Sequence, residues 1–161
     1  MRRALIALAG IVILAVVNFG IYQKEQLLTH GEVILLELAP IDPRSLLQGD
    51  YMALNFRLQG EIPLSDPPRD GYAVIAVGPA GVASYRRLDN GAPLAADERR
   101  IFYRSRLAQI KLGTNAFFFQ EGTADQYSSA RYGEARLSPN GDILLTGLRD
   151  GAYRPLGATS R

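Results

Sequence analysis

The stretch "MRRALIALAGIVILAVVNFGIY" constrains the chain most, because Ala4 to Tyr22 carry no formal charge and only one strongly polar residue, Asn18. At about 1.5 Å rise per residue such a run spans roughly 28 Å as a helix, close to the hydrocarbon thickness of a bilayer. Residues 1–23 therefore predict a single membrane anchor, with the bilayer as the partner of residues 4–22. A cleaved secretory signal would have a shorter apolar region followed by a small-x-small site. Here the run ends in "VVNFGIYQKEQ", which is bulky where such a site should be small. A buried core helix fits poorly with so continuous a run. Arg2 and Arg3 precede the apolar segment, so the positive-inside rule puts the N-terminus in the cytoplasm and everything after Lys24 on the far side. In a bacterium this means the inner (cytoplasmic) membrane, with the C-terminal domain periplasmic or extracellular. Tyr22 would lie at the outer interface, where an aromatic ring with a polar tip suits the headgroup level.

Charge asymmetry narrows the function classes. The pI near 9.0 suggests an anionic partner, but from His30 onward fifteen Lys and Arg face fifteen Asp and Glu. The body is neutral, so a nucleic-acid footprint is not expected. With no cysteine and one histidine, His30, thiolate and multi-histidine metal centres are excluded, and no cofactor is expected. Nine prolines and sixteen glycines in 161 residues favour short elements and many turns over a helical bundle.

From Gly31 the pattern changes to alternation punctuated by turns, so residues 31–161 form the expected domain and residues 24–30 a juxtamembrane linker. "EVILLELA" and "YMALNFRL" read as strands, separated by "PIDPR", where two prolines forbid regular structure. In the second run Met52, Leu54, Phe56 and Leu58 share one face, predicted to be the core face. Glu61 to Asp70 is a proline-rich connection. "GYAVIAVGPAGVASYRRL" predicts a hairpin around Gly78 to Gly81. "RIFYRSRLAQIKL" is a long run whose alternating start favours a strand, and "AFFFQ" is a short buried strand candidate. "TADQYSSARYG" predicts a short helix with Thr123 as N-cap, Asp125 in the first turn and Gly133 beyond its end. "EARLSPNGDILLTGL" predicts a second hairpin turning at Pro139 to Asp142. The fold class is mainly β within an α+β frame: an antiparallel β-domain with one short helix, preceded by a transmembrane helix.

"GDYMALNF", Gly49 to Phe56, resembles the signature of the GDYXXLXY family of bacterial membrane-anchored proteins, with Phe56 in place of the final tyrosine. "PIDPRSLLQGDY" is similar to the approach to that motif, "NAFFFQEGTA" to an aromatic segment ending in Glu-Gly, and "SPNGDILLTGLRDG" to the closing hairpin. The resemblance covers most of the chain after residue 30. It implies architecture and location rather than mechanism, because the family has no established biochemical activity. Its motif and binding candidates here are Asp42, Arg44, Gly49, Asp50, Tyr51, Leu54, Phe56, Glu121 and Gly122.

Chemistry at these positions has bland and sharp readings. Asp42, Asp50 and Glu121 could converge as a carboxylate cluster for a cation or for Arg44; equally, Asp42 caps a turn, Asp50 accepts backbone N–H groups and Glu121 pairs with an arginine. The second reading is favoured, and no metal site is assigned. Gly49 is expected to answer a backbone demand rather than cradle phosphate. Tyr51 is expected to bury its ring and direct its hydroxyl to a loop carbonyl. If Phe117, Phe118 and Phe119 form a strand, one ring must point away from the core, over the short helix or toward a partner.

An enzymatic alternative rests on similarity to bacterial signal peptidases, which combine a membrane anchor with a β-rich exported domain and a serine activated by lysine. Ser45 and Lys111 supply those residue types, and the lysine would need desolvation to act as base. Leu46 after the serine, the short spacing to Gly49 and the lack of a Gly-Asp-Asn element argue against it. The leading expectation is a non-enzymatic envelope protein whose exported domain binds or organises another envelope component, with a polytopic membrane protein as one such partner. An ion- or ligand-binding module around Asp42, Asp50 and Glu121 is the alternative.

Overall fold

The long apolar run and the alternating segments take up different geometries in the computed structural model, which describes residues 2–39, 47–48, 51–64, 69–114 and 116–157. Helix α1, Arg2–His30, is continuous for 29 residues, and its Leu8–His30 portion is long and apolar enough to cross a membrane. The side chains of Ile11, Val12, Ile13, Leu14, Val16 and Val17 are all more than half exposed. A helix apolar on every side has no polar face to turn toward water, which suits a span better than an interfacial helix.

The helix also includes residues 24–30, the expected linker. It ends where Gly31 N donates to Leu27 O at 2.9 Å, and strand β1, Glu32–Glu37, starts at the next residue. A Cβ on Gly31 would collide with the Leu27 carbonyl and lie 2.9 Å from Arg136 Cβ, so the junction needs glycine. Leu27 is buried, and Arg136 donates to Gly31 O at 3.1 Å. Helix α1 is thereby fastened to the β-domain rather than joined to it by a loose tether.

Eleven strands follow among the described residues, and all ladders between them are antiparallel. One sheet orders β1, β9 (Ala130–Leu137), β10 (Ile143–Asp150) and β11 (Pro155–Leu156). A second orders β5 (Ala83–Leu88), β4 (Gly71–Val77), β6 (Glu98–Arg106) and β7 (Gln109–Lys111). The third is small: β2 (Leu47–Gln48), β3 (Tyr51–Ala53) and β8 (Ala116–Phe118). Ile34, Leu36, Leu54, Ile75, Ile101 and Leu148 are buried together between them, burial that supplies the main driving force for the fold. Both expected hairpins form, with Gly81 N bonded to Gly78 O and Gly141 N to Ser138 O.

Four local readings differ from expectation. "YMALNFRL" is a strand only to Ala53; Arg57–Glu61 is a short helix, α2, whose entry is closed by Phe56 N donating to Gln59 Oε1 at 2.8 Å. The predicted core face survives this change, because Met52, Leu54, Phe56 and Leu58 are all buried. "RIFYRSRLAQIKL" is two strands joined at Leu107-Ala108, whose φ values of 50° and 57° make a tight hairpin turn without glycine. "AFFFQ" is an edge strand, not a buried one, with Phe118 73% exposed. The predicted helix around Asp125 is a single 3-10 turn, Ala124–Tyr127. Thr123 occupies its N-cap position, but its hydroxyl makes no capping bond and donates instead to Gln120 O at 2.6 Å, and Gly133 sits inside β9 rather than beyond a helix end.

Candidate functional site

The motif residues divide between core and surface by the pleat of one short strand. On β3, Met52 faces inward while Tyr51 and Ala53 face outward, and the alternation persists past the strand to Leu54, 1% exposed, and Phe56, 2% exposed. Phe56 lies on β9 where that strand carries Gly133. A Cβ there would come within 2.8 Å of the Phe56 ring and 3.0 Å of Leu145. Glycine in β9 thus makes room for the motif's last aromatic residue. Leu54 and Phe56 are packing residues, and Phe56 is anchored further by an isolated bridge to Leu38.

Tyr51 does the opposite of what was expected. It is 37% exposed, and its ring meets Phe118, directly opposite on β8, at 5.9 Å between centroids. Phe117 and Phe119 instead enclose Tyr127 of the 3-10 turn, each at 5.3 Å between centroids. Phe118 is therefore the outward ring of the three. Together with Tyr51 it makes an aromatic pair on the surface, on a strand with no neighbour on its other side among the described residues. Tilted aromatic pairs at this spacing attract beyond their buried area, and Phe118 stays largely exposed beside Tyr51.

Glu121 and Gly122 form the middle of a turn, with Thr123 N donating to Gln120 O at 3.1 Å and Gly122 at φ 77°. Both are exposed, and Glu121 makes no ion pair among the described residues. Asp42, Arg44, Ser45, Gly49 and Asp50 lie outside the described residues. The convergence of Asp42 and Asp50 with Glu121, and of Ser45 with Lys111, therefore has no geometry to report. Among the described residues no group of three or more His, Asp or Glu side chains is placed to hold a metal ion.

Lys111 is located: it ends β7, is exposed, and lines a cleft of about 240 Å³ with Lys24, Arg104 and Asp142. A larger groove, about 450 Å³, runs between the last turns of α1 and the β9–β10 turn, lined by Phe19, Tyr22, Leu27, His30, Pro139 and Asn140. Sequence reasoning missed both hollows. The available signal was positional, since Tyr22 and Lys24 lie at the end of the apolar run and anything packed against them sits at the same depth.

Elsewhere the charged surface is largely self-satisfied. Asp150 accepts from Ala152 N, Arg154 N and Arg154 Nε at 2.8 to 2.9 Å, and its pKa is lowered first by the Arg154 backbone bond, then by the Arg154 side chain. Asp70 is lowered by the Ser105 N–H and by Arg106, and Glu98 by the Ala95 N–H and by Arg87. These carboxylates tie turns to strands and are oriented by structure.

Residues 13–148 match the family described as GDYXXLXY protein. No curated protein and no solved structure matches the chain.

Proposed function

The chain belongs to the GDYXXLXY family, and from that premise we propose that it is a single-pass inner-membrane protein whose β-domain docks on another envelope protein. The domain faces the periplasm or the cell exterior in this reading, since Arg2 and Arg3 sit before the span. The observation that carries the docking role is the aromatic pair formed across the β3–β8 ladder by Tyr51 and Phe118, the latter on an edge strand with no neighbour on its other side among the described residues. An exposed aromatic pair beside an open strand edge offers a partner both apolar area and free backbone groups to pair with. The tyrosine of the family signature is spent on this surface, while Leu54 and Phe56 of the same octet are spent on the core. A partner embedded in the same membrane suits a domain fastened directly to its anchor.

The test is site-specific photo-crosslinking in intact membranes. A photoreactive residue at Phe118 or Tyr51 is expected to yield one dominant adduct with an integral membrane or envelope protein, and a probe at Arg86, on an exposed part of β5, is expected to yield none. Equal labelling from both sites, or no adduct from Phe118 in membranes containing the folded protein, overturns the docking role.

A further inference from the structure

We infer that Lys24, Arg104 and Lys111 form a binding site for the headgroup of an anionic phospholipid in the leaflet where α1 leaves the membrane. The strands alone do not favour their arrangement. Arg104 and Lys111 are directly opposite in the β6–β7 ladder, and like charges in that relation repel. The helix adds a third cation, Lys24, to the same cleft. One acid, Asp142, lines it too, leaving an excess of two positive charges.

Eight arginines elsewhere are held in ion pairs, among them Arg87 with Glu98 at 2.8 Å and Arg149 with Glu134 at 2.6 Å. Lys24, Arg104 and Lys111 have no such partner among the described residues. A surface of mostly paired charges thus keeps three cations close together, with Asp142 in the cleft and Asp70 near Arg104 offsetting them only in part. Its depth identifies the anion. Lys24 is two residues beyond Tyr22, about 3 Å along a helix axis, so the cleft opens at the level of lipid phosphates. The glycerol-phosphate of an anionic lipid presents there a charge that relieves the Arg104–Lys111 repulsion, and Arg supplies a planar fork to the phosphate.

This inference rests on the anchoring proposed above, and its test separates the two. The full chain is reconstituted in nanodiscs containing phosphatidylglycerol or only phosphatidylcholine, and retained lipids are counted by native mass spectrometry after release into detergent. Failure to reconstitute defeats the anchor. Reconstitution with equal retention of both lipids defeats the headgroup site alone. The expected result is preferential retention of phosphatidylglycerol, weakened roughly fivefold for each cation removed in Lys24→Gln, Arg104→Gln and Lys111→Gln. Arg86→Gln should leave it unchanged. These side chains are exposed, and an unchanged melting temperature shows that the variants fold. Displacement of the lipid by millimolar inorganic phosphate would overturn the lipid assignment in favour of a soluble phosphoryl ligand, and retention indifferent to all three variants would overturn the site.

Discussion

Phe56 and Gly133 act as one unit, a large ring laid on a backbone that has no Cβ. Phe56→Ala should destabilise the domain by about 3–5 kcal/mol, the usual cost of removing a buried aromatic ring, measured by urea denaturation. Gly133→Ala should also destabilise it, because the new methyl would stand 2.8 Å from the ring. Combining it with Phe56→Leu should cost less than the sum of the two, the non-additivity of groups in contact. Tyr51→Ala and Phe118→Ala should each cost about 1 kcal/mol or less, the scale of an exposed aromatic pair, while abolishing the crosslink from the edge strand. The inward set of the motif was legible in the sequence because alternation alone assigns Met52, Leu54 and Phe56 to one face. Tyr51 was misread because a ring with a hydroxyl looks like a core residue with a polar handle, and only the cross-strand register places it opposite Phe118.

At the scale of elements, the least legible feature was the β6–β7 hairpin. Leu107 and Ala108 carry none of the Gly, Asn or Asp that mark a turn, yet both adopt positive φ, which costs side-chain-bearing residues about 1–2 kcal/mol each. Leu107→Asn combined with Ala108→Gly is therefore expected to raise stability by roughly 1 kcal/mol or more, read as a higher denaturation midpoint; an unchanged or lower midpoint would show that the turn stores no strain. The register this turn sets holds Lys111 opposite Arg104, so a hairpin the sequence did not announce builds the basic cleft. The short helix at Arg57–Glu61 was hidden for another reason. Its one large apolar residue, Leu58, continues the alternation of the strand before it, and period two cannot separate a strand from one helical turn placed after it.

For the whole molecule, acid should unfold the domain through a small set of carboxylates. Asp70, Glu98 and Asp150 all have pKa values lowered in the fold by backbone N–H and arginine contacts. Groups of this kind add stability above their unfolded pKa, near 4, and lose it as pH falls through the lower folded values. Stability should thus be flat from neutrality to about pH 5 and decline below about pH 4; Asp150→Asn should lower the plateau and flatten the decline, checked by denaturation at several pH values. The long apolar N-terminal helix was the most legible part of the chain, since nineteen uncharged residues need no tertiary context. What sequence could not supply was the junction. Lys24 to His30 looks like a polar tether, and only the burial of Leu27 and the contact of Arg136 with Gly31 make it a fixed continuation of the helix. That junction fixes the basic cleft and the aromatic edge relative to α1, and under the proposed membrane span it fixes their depth as well. The chain has no cysteine, so paired spin labels at Val17→Cys and Thr146→Cys can report it directly by double electron–electron resonance in nanodiscs. A single narrow distance distribution is predicted; a broad one, as a flexible tether gives, would contradict the account.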